Sequence, residues 1–159
     1  MTNEIPKIEL KIYEKINFSN EILNIDLKYN KNSDKDYFKI NAIKKIFKEL
    51  GYNYIYNGEN SHQIFFRNHK NYKFSINFII KGSYTDPRLY ILKDDIYIGP
   101  KETSLYYLLN FISYDESLIN KNFGFNSLED LKNYILDIIE LCNKFSDDYI
   151  KEIEAGNTA

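Results

Sequence analysis

Three residues with the spacing of a metal-dependent nuclease site occur near the start of the chain. Asp26-Leu27-Lys28 has an acid and a lysine two residues apart on a predicted strand, and many such nucleases place a Mg²⁺-binding acid and a lysine in this way. Glu9, on the strand predicted to pair with it, could complete the metal site. The same acid-x-lysine pattern recurs at 9–11 and 130–132, a frequency that chance explains. We therefore expect no enzyme, and a small metal-dependent nuclease remains the catalytic alternative.

The other reactive side chains do not form a site. His62 and His69 flank one short predicted strand and would lie about 23 Å apart if it is extended, so we expect two separate loop histidines. Cys142, the single cysteine, lies in an apolar helical stripe, where a buried thiol has a raised pKa. The six glycines form neither of the glycine-rich phosphate-binding motifs. The sequence predicts no metal ion and no cofactor.

Tyrosines lie beside acids in the second half of the chain. Tyrosine offers a large, rigid contact area, and complementary charge selects a partner and speeds its association. Residues 1–81 carry a net charge of +5 and residues 82–159 carry −7, so the acids could select a basic protein. Half-buried tyrosines in a tyrosine-rich composition are the alternative. The predicted partner-binding residues are Tyr90, Asp94, Asp95, Tyr97, Glu102, Tyr106, Tyr107, Tyr114, Asp115 and Glu116.

Charge and hydropathy argue against two other classes of partner. The net charge is −2, and the tyrosines of residues 52–57 have no basic residues interleaved with them, so we do not expect nucleic-acid binding. No apolar run approaches 18 residues, the length of a membrane-spanning helix. The N-terminus lacks a basic segment followed by an apolar stretch, so we expect no signal peptide and a cytoplasmic location.

The hydrophobic periodicity predicts the elements that must position these residues. Alternation over residues 52–57 and 72–81 is typical of half-buried strands, and spacings of three and four predict helices. Residues 5–29 fit either a β-hairpin, which we favour, or a helix. The predicted helices span residues 35–50, 105–112 and 128–153. The predicted strands after the first hairpin span residues 52–57, 63–67, 72–81, 88–93 and 96–98, with a loop at 82–87 and a tight turn at Asp94-Asp95.

These elements predict one α+β domain over residues 1–159. An antiparallel sheet of about five to seven strands would be packed on one face by about three helices, including a long C-terminal helix. The helix should begin at the capping signature Asn126-Ser127-Leu128-Glu129-Asp130. We expect the tail at residues 155–159 to fray.

Two segments give the chain a resemblance to a known class of proteins. NAIKKIFKELGYNYIY reads as a helix, a glycine and a tyrosine-rich strand, and NSLEDLKNYILDIIELC opens the closing helix. With the size and the α+β order, they resemble the small cytosolic immunity proteins of bacterial toxin systems. The resemblance implies stoichiometric binding and occlusion of a cognate toxin. Phage-encoded inhibitors of bacterial defence share these features, and the high Ile, Asn and Lys content indicates an AT-rich coding genome.

Overall fold

The centre of the molecule is an antiparallel sheet whose strands alternate between buried and partly exposed side chains. The computed structural model describes residues 5–29, 38–99, 103–113 and 123–157. The first five strands follow one another along the chain and lie side by side in the order β1-β2-β3-β4-β5, and β6 pairs with β4. They are β1 (Asn53–Tyr56), β2 (Ser61–His69), β3 (Tyr72–Lys81), β4 (Tyr84–Lys93), β5 (Ile96–Tyr97) and β6 (Phe123–Gly124).

Within the described residues, five helices accompany the sheet, two more than the sequence predicts. They are α1 (Lys7–Lys15), α2 (Phe18–Tyr29), α3 (Ile40–Glu49), α4 (Leu105–Ser113) and α5 (Leu128–Glu154). None of the helices in the described ranges is long and apolar enough to cross a membrane. The α+β class, the antiparallel sheet and the long C-terminal helix are confirmed.

The predicted β-hairpin at residues 5–29 is wrong, because this segment forms α1 and α2. Ile8 and Ile12 are buried at a helical spacing of four, as are Phe18 and Ile22. Asn17, with a φ of 56°, separates the two helices. The alternation that suggested strands is local, whereas the helical stripe supplies an apolar face to the core.

The helices cover the face of the sheet on which β3 buries alternate side chains. Tyr134 of α5 packs edge-on against Phe78, with ring centroids 6.4 Å apart, and Tyr149 packs against Phe74 at 5.6 Å. Alternate β3 side chains therefore form the sheet side of the core, and α5 packs against them from the helical side.

Turns and caps set the ends of several elements. Gly82, with a φ of 60°, permits a tight turn between β3 and β4, so residues 84–87, predicted to be loop, belong to β4. Ser127 accepts a hydrogen bond from the Asp130 amide at 3.0 Å, as the capping signature predicts. At the other end of α5, Gly156 has a φ of 86°. The amides of residues 156 and 157 bond carbonyls of the last turn, so the expected fraying does not extend to residues 155–157.

Candidate protein-binding surface

The β4–β5 hairpin brings together four of the predicted partner-binding residues. Asp94 and Asp95 form its two-residue turn with φ values of 54° and 63°, a left-handed geometry that matches the twist of the flanking strands. Tyr90 and Tyr97 meet edge to face, with ring centroids 5.5 Å apart. The hairpin therefore presents two acids at its tip and two tyrosines behind them.

The adjacent β2–β3 hairpin holds the two acids in place. Asn71 Nδ2 donates to Asp94 Oδ1 at 2.9 Å, and the Asp94 amide donates to the Asn71 carbonyl at 2.9 Å. Lys73 Nζ lies 2.5 Å from Asp95 Oδ1, yet the Asp95 side chain stays 74% exposed. A solvent-exposed ion pair contributes little free energy, so Asp95 remains available to another cation.

Tyr106, another of the predicted residues, does not extend this surface. Tyr106 lies on the inner side of α4, is only 3% exposed, and donates its hydroxyl to Asp26 Oδ1 at 2.8 Å. The expectation that Tyr106 contacts a partner is therefore wrong, because α4 turns it into the core, where burial raises its pKa. Tyr107 is half-buried. Glu102, Tyr114, Asp115 and Glu116 lie outside the described residues.

The three residues of the nuclease alternative have three different environments. Glu9 and Asp26 are buried on α1 and α2, and the prediction that they lie on paired strands is wrong. Lys28 lies at the surface, where its Nζ is 3.1 Å from Asp137 Oδ2. Within residues 5–29, 38–99, 103–113 and 123–157, no three His, Cys, Asp or Glu side chains are placed to hold a metal ion.

A second surface, which the sequence did not predict, is the side of the sheet that points away from α5. Strand register aligns Gln63 with Asn77 and Phe65 with Ser75 across β2 and β3, and Ser75 with Tyr90 across β3 and β4. We call this surface the open sheet face. It consists of Ile55, Ser61, Gln63, Phe65, Lys73, Ser75, Asn77, Ile79, Asp86, Arg88 and Tyr90.

Uncharged polar side chains occupy the centre of the open sheet face. Ser61 Oγ donates to Asn77 Oδ1 at 2.8 Å, and Gln63 Nε2 donates to Ser75 Oγ at 3.2 Å. The cross-strand neighbours of Ser75 are aromatic on both sides, and Ser75 is fully buried. Aromatic rings around uncharged hydroxyl and amide groups are typical of the centre of a protein interface.

Charged pairs lie toward the margins of the same face. Arg88 Nε donates to Asp86 Oδ2 at 2.9 Å, and Ser104 Oγ donates to the other oxygen of that carboxylate at 2.7 Å. The Lys73–Asp95 pair lies at the β4–β5 turn. A charged rim around an uncharged centre fits the usual layout of an interface.

The opposite charges of the two halves of the chain meet in ion pairs at the surface of the molecule. Acids of α5 contact basic side chains from the first 70 residues, so much of the acidic half is neutralised by the chain itself. The contacts are Lys11–Glu152, Lys15–Asp148, Lys28–Asp137, Arg67–Asp147, His69–Glu154 and Lys70–Glu154. Asp94 and Asp95 stay predicted contacts for a basic partner because they lie together at an exposed hairpin tip.

His62 lies in the core, and the prediction that it is a loop residue is wrong. It lies within β2, is fully buried, and stacks on Phe47 with ring centroids 4.8 Å apart. Its Nδ1 is 2.8 Å from the Tyr54 hydroxyl. Burial and the nearby Lys44 lower its pKa to about 4, so the imidazole is neutral at pH 7. The alternation of His62 with Ile64 was the signal that could have placed it in the core.

Comparison with known proteins finds no match to a family model, to a curated protein or to a solved structure. The function is therefore inferred from the chain's own surface. Two features carry that inference, the open sheet face and the β4–β5 hairpin, and they share Tyr90.

Proposed function

We propose that this protein is a non-enzymatic inhibitor that binds one partner protein and occludes it. Bacterial immunity proteins and antitoxins that neutralise a cognate toxin act in this way. The observation that carries the proposal is the open sheet face, with aromatic and uncharged polar groups at its centre and charged pairs at its rim. Such a surface offers hydrogen bonds and rigid apolar area together.

The environments of the reactive side chains favour binding over catalysis. Cys142 is buried in α5, and burial raises the pKa of its thiol, so it is a poor nucleophile. His62 is enclosed by aromatic rings. Tyr90, in contrast, is partly exposed and Asp95 is exposed, and both lie on the β4–β5 hairpin.

The surface also indicates the chemistry of the partner. Asp94 and Asp95 would pair with lysine or arginine side chains, while the Ser, Gln and Asn groups would exchange hydrogen bonds with polar or backbone groups. Charge at one end of the surface would speed association with the partner. Burial of the apolar and polar groups at the centre would stabilise the complex. A phage-encoded inhibitor of bacterial defence would use the same surface against a different partner.

Affinity capture with matched surface variants tests this proposal. Tagged protein is used to capture partners from a lysate of its native host, and native mass spectrometry measures stoichiometry. Ile55→Lys places a charge on the open sheet face, where Ile55 is 43% exposed, and Leu136→Lys places one on α5, where Leu136 is 39% exposed. We expect a one-to-one complex that Ile55→Lys weakens at least tenfold and Leu136→Lys leaves unchanged.

A second pair of variants tests the hairpin. Ile96 at the β4–β5 turn is 68% exposed, and Leu27 on α2 is 76% exposed. Ile96→Lys should repel a basic partner, and Leu27→Lys should not. The captured protein, expressed alone, should arrest growth or inactivate a defence function, and co-expression of the inhibitor should reverse that effect. Equal capture by all four variants, or a captured protein whose activity is unaffected, would contradict the proposal.

A further inference from the structure

A carboxyl group without a hydrogen-bond partner is enclosed where α1 meets the β4–β5 hairpin. Glu9 is 3% exposed, and its Oε2 is buried with no hydrogen-bond partner. The surrounding pocket leaves no space for a water molecule. Its lining includes Tyr13, Leu89, Ile91, Tyr97, Thr103 and Leu108.

Within the described residues, the groups around Glu9 offer it no positive charge. The titratable side chains that face it there are Tyr13 on α1, Tyr97 on β5 and Tyr149 on α5. Burial raises the pKa of Tyr13 and Tyr149, so these two groups are neutral at physiological pH. An ionised Glu9 would therefore be a buried charge with no counter-ion among the described side chains, which is strongly unfavourable.

The chain near Gly99 closes the same pocket tightly. A Cβ added at Gly99 would come within 2.7 Å of the Tyr97 hydroxyl, so the end of the hairpin lies directly against the Tyr97 ring. Movement of α1 or of this end of the hairpin would expose the buried Oε2 of Glu9 to water.

We infer that Glu9 is protonated while α1 packs against the β4–β5 hairpin, and that ionisation of Glu9 opens this contact. The inference rests on the packing of the described residues and does not depend on the proposed function. The contact between α1 and the β4–β5 hairpin, which includes Tyr97, therefore responds to pH.

The direction of the pH effect follows from linkage. Burial raises the pKa of Glu9 from its ordinary value of 4.5 to about 8, whereas an opened α1 exposes the carboxyl group to water. Opening is therefore coupled to release of one proton between these two pH values. The equilibrium constant for opening should rise about tenfold for each pH unit in that interval and level off above it.

Hydrogen exchange of the whole protein, corrected for the intrinsic pH dependence of exchange, tests the inference. In the wild type, protection of the α1 amides should fall about tenfold per unit between pH 5 and 8. Glu9→Gln, which stays neutral, should keep α1 protected throughout. Glu14→Gln, on the exposed side of α1, should behave like the wild type.

Carbon-13 NMR of glutamate-labelled wild type gives a second measurement that needs no variant. The Glu9 carboxyl resonance should remain in its protonated position at pH 6. An ionised Glu9 at pH 6, or parallel exchange profiles for the wild type and Glu9→Gln, would overturn the inference. Loss of partner capture with an intact pH response would instead count against the proposed function alone.

Discussion

Three buried polar side chains, Glu9, Asp26 and His62, differ in the hydrogen bonds that they make. Asp26 accepts a hydrogen bond from Tyr106, His62 shares one with Tyr54 through Nδ1 but has no partner at Nε2, and Glu9 Oε2 has none. Burial of an ionisable group without an opposite charge shifts its pKa toward the neutral form. The raised pKa of Glu9 and the lowered pKa of His62 both follow from this rule.

Tyr106→Phe tests the hydrogen bond between α4 and α2. The substitution keeps the ring and leaves the Asp26 carboxyl without this donor, so it should destabilise the protein by about 1–3 kcal/mol. Urea denaturation measures the loss. The double variant Tyr106→Phe, Asp26→Leu removes both partners and should be less destabilised than Tyr106→Phe alone. If the double variant is less stable than Tyr106→Phe alone, this account of the pair is contradicted.

At the scale of elements, the sequence predicted most of the sheet and α5 but mistook α1 and α2 for a hairpin. The alternation of Ile8, Leu10 and Ile12 fits a strand as well as a helix. Contact with α5 decides between them, because Tyr13 stacks on Phe145 with ring centroids 4.7 Å apart. That contact joins distant parts of the chain, so no local pattern could reveal it.

The proposed binding surface was predictable only where it depends on local geometry. Asp94-Asp95 reads as a turn, and a turn necessarily brings Tyr90 and Tyr97 onto adjoining strands. The open sheet face was not predictable, because alternation identifies two faces and does not say which one the helices cover. The burial of Tyr106 likewise depends on how α4 is rotated against α2.

Removal of the α5 cap tests an element that the sequence predicted correctly. Ser127→Ala deletes the oxygen that accepts from the Asp130 amide, and it should destabilise the protein by about 1 kcal/mol. Ser127→Asp keeps an acceptor and should remain close to the wild type. Thermal unfolding followed by circular dichroism measures both. Equal losses for the two variants would show that the hydrogen bond is not the cause.

At the scale of the whole molecule, Glu9 and His62 give stability a distinct pH profile. Folded Glu9 keeps its proton to about pH 8 instead of 4.5, so stability falls as pH rises through that interval. Folded His62 loses its proton near pH 4 instead of 6.5, so stability falls as pH drops through that interval. The two effects oppose each other between pH 4.5 and 6.5.

We therefore expect these two groups to produce a plateau in the free energy of unfolding between pH 4.5 and 6.5. Between pH 6.5 and 8 the free energy should fall by about 2 kcal/mol, at about 1.4 kcal/mol per unit. In Glu9→Gln the plateau should become a rise with pH, because His62 then acts alone, and the loss above pH 6.5 should disappear. Urea denaturation from pH 4 to 8.5 measures both profiles, and parallel curves would contradict the assignment.

The ion pairs of α5 have a consequence for the synthesis of the chain. Lys11 and Glu152 are 141 residues apart, and Arg67 and Asp147 are 80 apart, so α5 is translated long after the segments with which it pairs. Until α5 leaves the ribosome, Phe74 lacks Tyr149 and Phe78 lacks Tyr134. A chain cut short before residue 128 would leave these apolar side chains of β3 without their α5 partners, which favours aggregation.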